Sequence, residues 1–264
     1  MNNSVIELML NHKSIRKYED TVPSDEMIST VVRAGQQAAF ASQLYSVVLS
    51  RERDRHPFGA PLLFVICVDC HKLELMMAKR GWKVMTNDLL LLLFGIQDAA
   101  LMAQNMVLAG ESLGMGSCFL GMAPYDAENI IEQYRLPGRV FPLVMLTMGY
   151  PAENPPPRPR YPQEYVLFDG QYPRLSDEDV ERAMAVMDQG YLEQDYYRQA
   201  NYIIALEDKR EEKFTFDTYG WSEHISRKWG QWYPSNRELL DKLRACGFEV
   251  CEGSRDQDDK QSSS

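Results

Sequence analysis

Two short basic stretches interrupt an otherwise acidic chain: His12-Lys13-Ser14-Ile15-Arg16-Lys17-Tyr18 and, far along the sequence, Arg158-Pro159-Arg160. Lys13 and Arg16 stand three residues apart with the hydroxyl of Ser14 between them, a set that offers a phosphate both charge and hydrogen bonds. Arg158 and Arg160 are fixed by prolines and repel one another unless an anion neutralises them. One shared anion meets both conditions, so the stretches read as two halves of a phosphate clamp. Taken singly, each is equally an ordinary solvated surface.

Other constellations carry less. Cys67-Val68-Asp69-Cys70 has redox-pair spacing, but it closes the apolar run 62–66, and on a strand residues three apart point to opposite faces. A thioredoxin-type pair opens a helix, whose dipole lowers the thiol pKa. These cysteines are therefore expected to be structural, and no spacing in the chain suggests a metal site. Gly114, Gly116 and Gly121 imitate a dinucleotide fingerprint, yet that motif leads from strand to helix and here a helix comes first. A helix C-cap followed by close backbone approach to a ligand or strand fits them better.

The elements that must position these residues follow from periodicity. Residues 5–10 read as a short helix leading into the first basic stretch. Ser24 is an N-cap for a helix through residue 34. Residues 61–68 are a buried strand. Residues 88–113 form the most periodic helix, with Leu92, Ile96, Ala99, Ala103, Met106 and Ala109 in a segment apolar nearly all round, which buries it in the core or against another subunit. A strand over 117–121, a helix over 125–134 and a strand over 141–149 follow. Pro155-Pro156-Pro157 then makes a stiff extended arm that carries Arg158 and Arg160. Residues 176–189 are helical, 191–213 lack a period and read as a mobile excursion, and 221–246 hold a helix split at Pro234. The expected organisation is a core over 1–175, a helical extension over 176–251 completing the same domain, and a disordered polar tail over 252–264.

Totals bound the function. A chain of 264 residues at 45% hydrophobic content can bury one substantial core. A net charge of −10 disfavours nucleic acid and anionic membranes as partners. The longest apolar run, 89–96, is far short of the ~20 residues a bilayer span needs. With an odd count of five cysteines and no basic start leading into an apolar stretch, a cytoplasmic protein is expected.

Several motifs occur in order between residues 5 and 248: His12-Lys13-Ser14-Ile15-Arg16; residues 98–112 followed by Leu113-Gly114-Met115-Gly116; Leu136-Pro137; Met148-Gly149-Tyr150-Pro151-Ala152; residues 154–160; and Trp221-Ser222-Glu223-His224-Ile225. Together they resemble the FMN-dependent nitroreductases, above all the branch of the oxygen-insensitive group A nitroreductase and flavin reductase P. The resemblance implies an α+β fold with a mixed central sheet flanked by helices, in an intertwined homodimer with FMN at the subunit interface. By position, His12, Lys13 and Ser14 would meet the FMN phosphate, Arg158 and Arg160 would close over it, and Arg16 would face the pyrimidine edge of the ring. Leu120 and Gly121 would offer backbone groups near its reactive edge. Ala39-Phe40-Ala41-Ser42-Gln43 replaces a serine-rich loop of the family, with Gln43 as the polar ring contact. Residues 50–60 are shorter than their counterpart and lack its glutamine, and 78–87, with Trp82, have no counterpart.

The chemistry implied is ping-pong: NADH or NADPH reduces FMN, and a small aromatic acceptor such as a nitroarene, quinone or free flavin takes the electrons. Arg16 is the single catalytic residue expected, a cation that stabilises the negative charge left on the reduced ring. Arg198, Lys209 and Arg210 are candidates for a 2′-phosphate, and Phe40, Trp82 and Tyr125 for stacking on acceptors, each also readable as plain surface or packing. Two other readings stay open: an FMN reservoir or sensor without turnover, and a reductase of this fold fed by a protein donor.

Overall fold

Asn3, Ser24, Asn87 and Ser176 each turn a side-chain oxygen onto amides of the following turn, fixing where four helices begin. The computed structural model describes residues 3–207, 210–231 and 236–250. Lys209, Pro234, Cys251 and the tail over 252–264 lie outside these. In chain order the elements are α1 (Ser4–Leu10), α2 (Asp25–Gln36), β1 (Tyr45–Ser50), β2 (Leu62–Asp69), α3 (His71–Lys79), α4 (Asp88–Ser112), β3 (Gly116–Leu120), α5 (Ala127–Tyr134), β4 (Val140–Gly149), α6 (Asp177–Glu193), α7 (Tyr196–Gln199), α8 (Trp221–Gln231) and α9 (Asn236–Ala245).

The sheet runs β1-β2-β4-β3, and every neighbouring pair is antiparallel. Among the described residues its parallel component is one bridge outside the strands, Ser14 to Ser117, which adds the first basic stretch to the edge of β3. All of β2 is buried, which is why it reads as an unbroken apolar run. One face packs on α2 and α4 through Ile28, Val31, Phe64, Met102, Met106 and Leu146. By length and hydropathy alone α4 could cross a bilayer; half of that window is buried within the protein.

Contacts divide the chain into two compact units, residues 1–155 with 235–264, and residues 156–234. The break falls inside the proline arm, and the boundary expected at 175/176 lies within the second unit. In the first unit, Arg139 gathers four segments. Its guanidinium binds Asp88 through both carboxylate oxygens (2.7 and 2.8 Å), Glu74 (2.6 Å) and the carbonyl of Gly247 (2.7 Å), and lies 4.5 Å from the ring centroid of Phe248. The hydrogen bonds from Arg139 hold the Asp88 carboxyl below its usual range. A carboxylate depressed in the folded state contributes stability above its unfolded pKa and loses it as pH falls. Wild type should therefore melt above Asp88→Asn from neutral pH down to about 4, and that margin should close below it. Melting curves across pH check this.

In the second unit, residues 191–213 carry packing contacts: Tyr197 is buried, stacks on Tyr191 and His224, and meets Tyr219 edge-on. Arg227, also buried, binds Glu212 through two hydrogen bonds (2.6 and 2.8 Å), Glu223 (2.7 Å) and the carbonyl of Ile204 (2.8 Å). Short α7 and aromatic contacts between segments leave no periodic trace in sequence.

Candidate functional site

The first basic stretch is held by alternation. Ile15 points inward, buried against Gly116, where an added Cβ would lie 2.4 Å from Ile15 Cγ1. Only glycine lets the stretch approach β3 so closely, while Gly114, at φ +79, takes the left-handed position that closes α4. The amide of Ile15 donates to the carbonyl of Ser117 (2.8 Å). Tyr18 is buried too; its hydroxyl donates to the carbonyl of Ile15 (2.7 Å) and meets Thr147 Oγ1 (2.9 Å), which donates to the carbonyl of Cys118 (3.2 Å). Burial pushes the Tyr18 hydroxyl well above its usual range, so it remains a neutral donor. Past it, Tyr18 bridges Pro151.

Arg16 is thereby left exposed and Ser14 partly so. Nδ1 of His12 meets Glu111 Oε1 at 2.6 Å, which fixes the ring; among the described residues Nε2 has no partner, and Glu111 Oε2 is buried without one. Lys13 Nζ donates to the neutral amide oxygen of Asn154. The Arg16 guanidinium lies 5.9 Å from the ring of Phe58 and makes no ion pair among the described residues. Burial pushes the Cys118 thiol up, and the charge of Arg16 acts against that shift. Beside this edge a cavity of about 240 Å³ is lined by Asn11, Lys13, Glu111, Gly116, Glu153 and Asn154, among others. Ser14 and Ile15 are thus tied to Ser117 at the edge of β3, with Lys13 and Arg16 flanking them; Leu120 is the last residue of β3 and Gly121 lies in the turn after it.

Ala39, Phe40, Ala41 and Gln43 lie in the loop from α2 to β1, shaped by the first residue of the 98–112 motif, which the motif itself gives no role. The Asp98 carboxylate, on α4 and 1% exposed, accepts the amides of Ala41 (2.6 Å), Ser42 (3.0 Å) and Leu44 (3.0 Å). The amide of Ala41 is therefore committed within the protein, and the loop offers outward the exposed Phe40 and Gln43, the latter at φ 55. A carboxylate in an otherwise apolar helix must find donors, and that signal alone could have singled out Asp98. Glu111, in the last turn of the same helix, and Glu153, after the end of β4, give a weaker signal, because a carboxylate at a helix end or in a loop is ordinarily solvated.

Arg158 and Arg160 belong to the second unit. Arg158 donates to Gln194 Oε1 (2.8 Å) and stacks 3.9 Å over the ring of Tyr196, so neighbours other than an anion already hold it. Arg160 folds back onto the carbonyls of Arg158 and Pro159 (3.1 Å each). Arg198 is ion-paired to Asp195 and Asp217. Arg210 lines a cavity of about 340 Å³ with Lys213 and Arg227. Phe40 and Trp82 are exposed, and Tyr125 is partly buried.

The cysteine pair departs from its expected context. Helix α3 opens directly behind β2 with Cys70 at its N-cap, a place that would favour a thiolate. Burial wins: it pushes Cys67 up to about 12 and Cys70 up to about 11, so neither ionises near neutral pH.

Comparison with known proteins agrees with this geometry. The profile of the Nitroreductase family matches residues 48–150. An FMN reductase (NADPH) of Bacillus subtilis is 30% identical over 213 residues, 75% of this chain and 84% of the relative. An oxygen-insensitive NADPH nitroreductase of Salmonella typhimurium is 31% identical over 191 residues, 67% of this chain and 78% of the relative. Among solved structures, an NADPH:FMN oxidoreductase of Vibrio harveyi complexed with NAD+ matches with a TM-score of 0.72 at 26% identity, covering 93% of this chain and 99% of that one.

Proposed function

Because the chain belongs to the nitroreductase family, we propose that it is an FMN-dependent NAD(P)H oxidoreductase that reduces nitroaromatics, quinones or free flavin. The observation that carries this is local. In a chain of net charge −10, Lys13 is held by a neutral amide, and the Arg16 guanidinium pairs with no carboxylate among the described residues. Two cations are thus kept unneutralised beside a hydroxyl at one strand edge, a donor set suited to a phosphate with an electron-accepting ring attached.

FMN, when bound, accepts two electrons from NADH or NADPH and passes them to the acceptor. Lys13, Ser14 and His12 would hold its phosphate; Arg158 and Arg160, in the second unit, are the further phosphate candidates that the family resemblance implies. Arg16 would face the pyrimidine edge, the backbone of Leu120 and Gly121 the reactive edge, and Ala39, Phe40, Ala41 and Gln43 the ring. Ala41 would serve there through its carbonyl or methyl, its amide being bonded to Asp98. The purified protein should absorb in the blue and near ultraviolet, or take up FMN on titration, and should oxidise NAD(P)H when menadione or nitrofurazone is added. A colourless protein that takes up no FMN overturns the reading. A yellow one without acceptor-dependent turnover favours the reservoir.

The same reading makes the protein a cytoplasmic homodimer. Support for a dimer comes from apolar side chains left uncovered along α1 and α4: Leu10 is 74% exposed and Leu93 49%, with Phe94, Ile96 and Leu101 nearby in sequence. Support for the compartment comes from Cys67, Cys70, Cys118 and Cys246, all buried free thiols. Leu93→Asp should shift the protein from dimer to monomer in light scattering after size exclusion; an unchanged mass would place the interface elsewhere.

A further inference from the structure

Between the Ser14–Ser117 bridge and the Tyr18–Pro151 bridge, the first basic stretch turns from one partner strand to the next, and the amides of Arg16 and Lys17 have no ladder to join. One atom takes both. Glu153 Oε1 accepts the amide of Arg16 at 2.5 Å and that of Lys17 at 3.1 Å. The neighbouring backbone closes around the same turn: the amide of Ala152 donates to the carbonyl of Lys17, and that of Glu19 to the carbonyl of Tyr150, each at 2.9 Å.

We infer that Glu153 is the positioning residue for Arg16. Its negative charge is engaged with backbone amides, and Glu153 makes no ion pair with a lysine or arginine side chain among the described residues, so the guanidinium keeps its charge for a ligand. Fixing the amides of Arg16 and Lys17 fixes the point from which the Arg16 side chain leaves the backbone. The adjacent Asn154 completes the arrangement by holding Lys13 with a neutral oxygen. Two neighbouring acceptors thus secure the stretch without neutralising either cation. Glu153 reaches Arg16 through its backbone and is not itself expected to touch the flavin.

This inference rests on the proposed function only where it concerns flavin reduction, and the test separates the two. In the full-length, flavin-free protein, Glu153→Ala should raise hydrogen exchange at the Arg16 and Lys17 amides by about tenfold or more, the change expected for a lost charged hydrogen bond. Glu153→Gln, which keeps an acceptor oxygen, should restore most of the protection. In the FMN-loaded protein, Glu153→Ala should slow anaerobic flavin reduction by NAD(P)H, and its effect should largely vanish in an Arg16→Ala background, because both changes remove the same placement. Unchanged exchange in Glu153→Ala, or an equal slowing with and without Arg16, would overturn the assignment. If Glu153→Ala does not fold, Glu153→Gln decides: protected amides support positioning, whereas protected amides with reduction slowed as far as in Arg16→Ala would make the role electrostatic and overturn it. A wild-type protein that binds no FMN sinks the functional reading and leaves the exchange result to judge Glu153 alone.

Discussion

Arg16→Ala is expected to slow flavin reduction by about tenfold to a hundredfold and to lower the flavin's midpoint potential by about 30–60 mV. Both figures follow from losing one charged hydrogen bond that is stronger to the reduced, negatively charged ring than to the oxidised one, about 1.5–3 kcal/mol. The guanidinium suits this role because nothing in its own unit neutralises it: Phe58 lies 5.9 Å away and no carboxylate pairs with it among the described residues. Rate and potential should fall together, since the missing charge destabilises the reduced state and the transition state leading to it. Arg160→Ala should act differently, weakening FMN retention by a similar ~1.5–3 kcal/mol with little change in potential. Stopped-flow reduction, spectroelectrochemistry and FMN titration of both variants decide. Equal losses of retention from both, with the potential unmoved, would remove Arg16 from its assigned place.

What the sequence made legible was mostly what apolar burial dictates. Helix α4 and strands β2 and β4 were readable because each buries long stretches of side chain, and the start of α2 because Ser24 caps it. Strand β1 went unread: only its two end residues are fully buried, so Tyr-Ser-Val-Val-Leu-Ser shows no clean alternation. Helix α3 went unread because it has neither a buried face nor a capping side chain to mark its start. Among the described residues the mixed character expected of the sheet rests on the Ser14–Ser117 bridge, a contact between segments with no local signature.

The site divides in the same way. Cations announce themselves in an acidic chain, so Lys13, Arg16, Arg158 and Arg160 were visible. The acidic residues that orient them were not, because Glu111 and Glu153 look like any surface carboxylate until the fold brings them to His12 and to the amides of Arg16 and Lys17. Arg158 shows the opposite failure. Its charge suggested an anion, and the structure supplies a tyrosine face and an amide first.

Asp98→Ala should cost the most stability of the substitutions named here, about 3–5 kcal/mol, because it removes a buried acceptor from three amides at once, that of Leu44 itself buried. The carboxylate is 1% exposed and its three hydrogen bonds run from 2.6 to 3.0 Å. For a chain of this size the melting temperature should fall by roughly 6–15 °C. Asp98→Asn should cost less, since one amide oxygen survives as an acceptor, but its NH2 group would face donors and prevent full rescue. The functional consequence separates ring from phosphate. The loop that Asp98 shapes carries Phe40 and Gln43, while Lys13 and Ser14 are tied to β3 and Asn154. At a temperature where Asp98→Asn is fully folded, it should therefore retain FMN with little loss, while the visible circular dichroism of the bound ring weakens as the loop loosens. An unaltered ring signal in a measurably destabilised variant would show that residues 39–43 do not contact the flavin, and would confine the role of Asp98 to the fold.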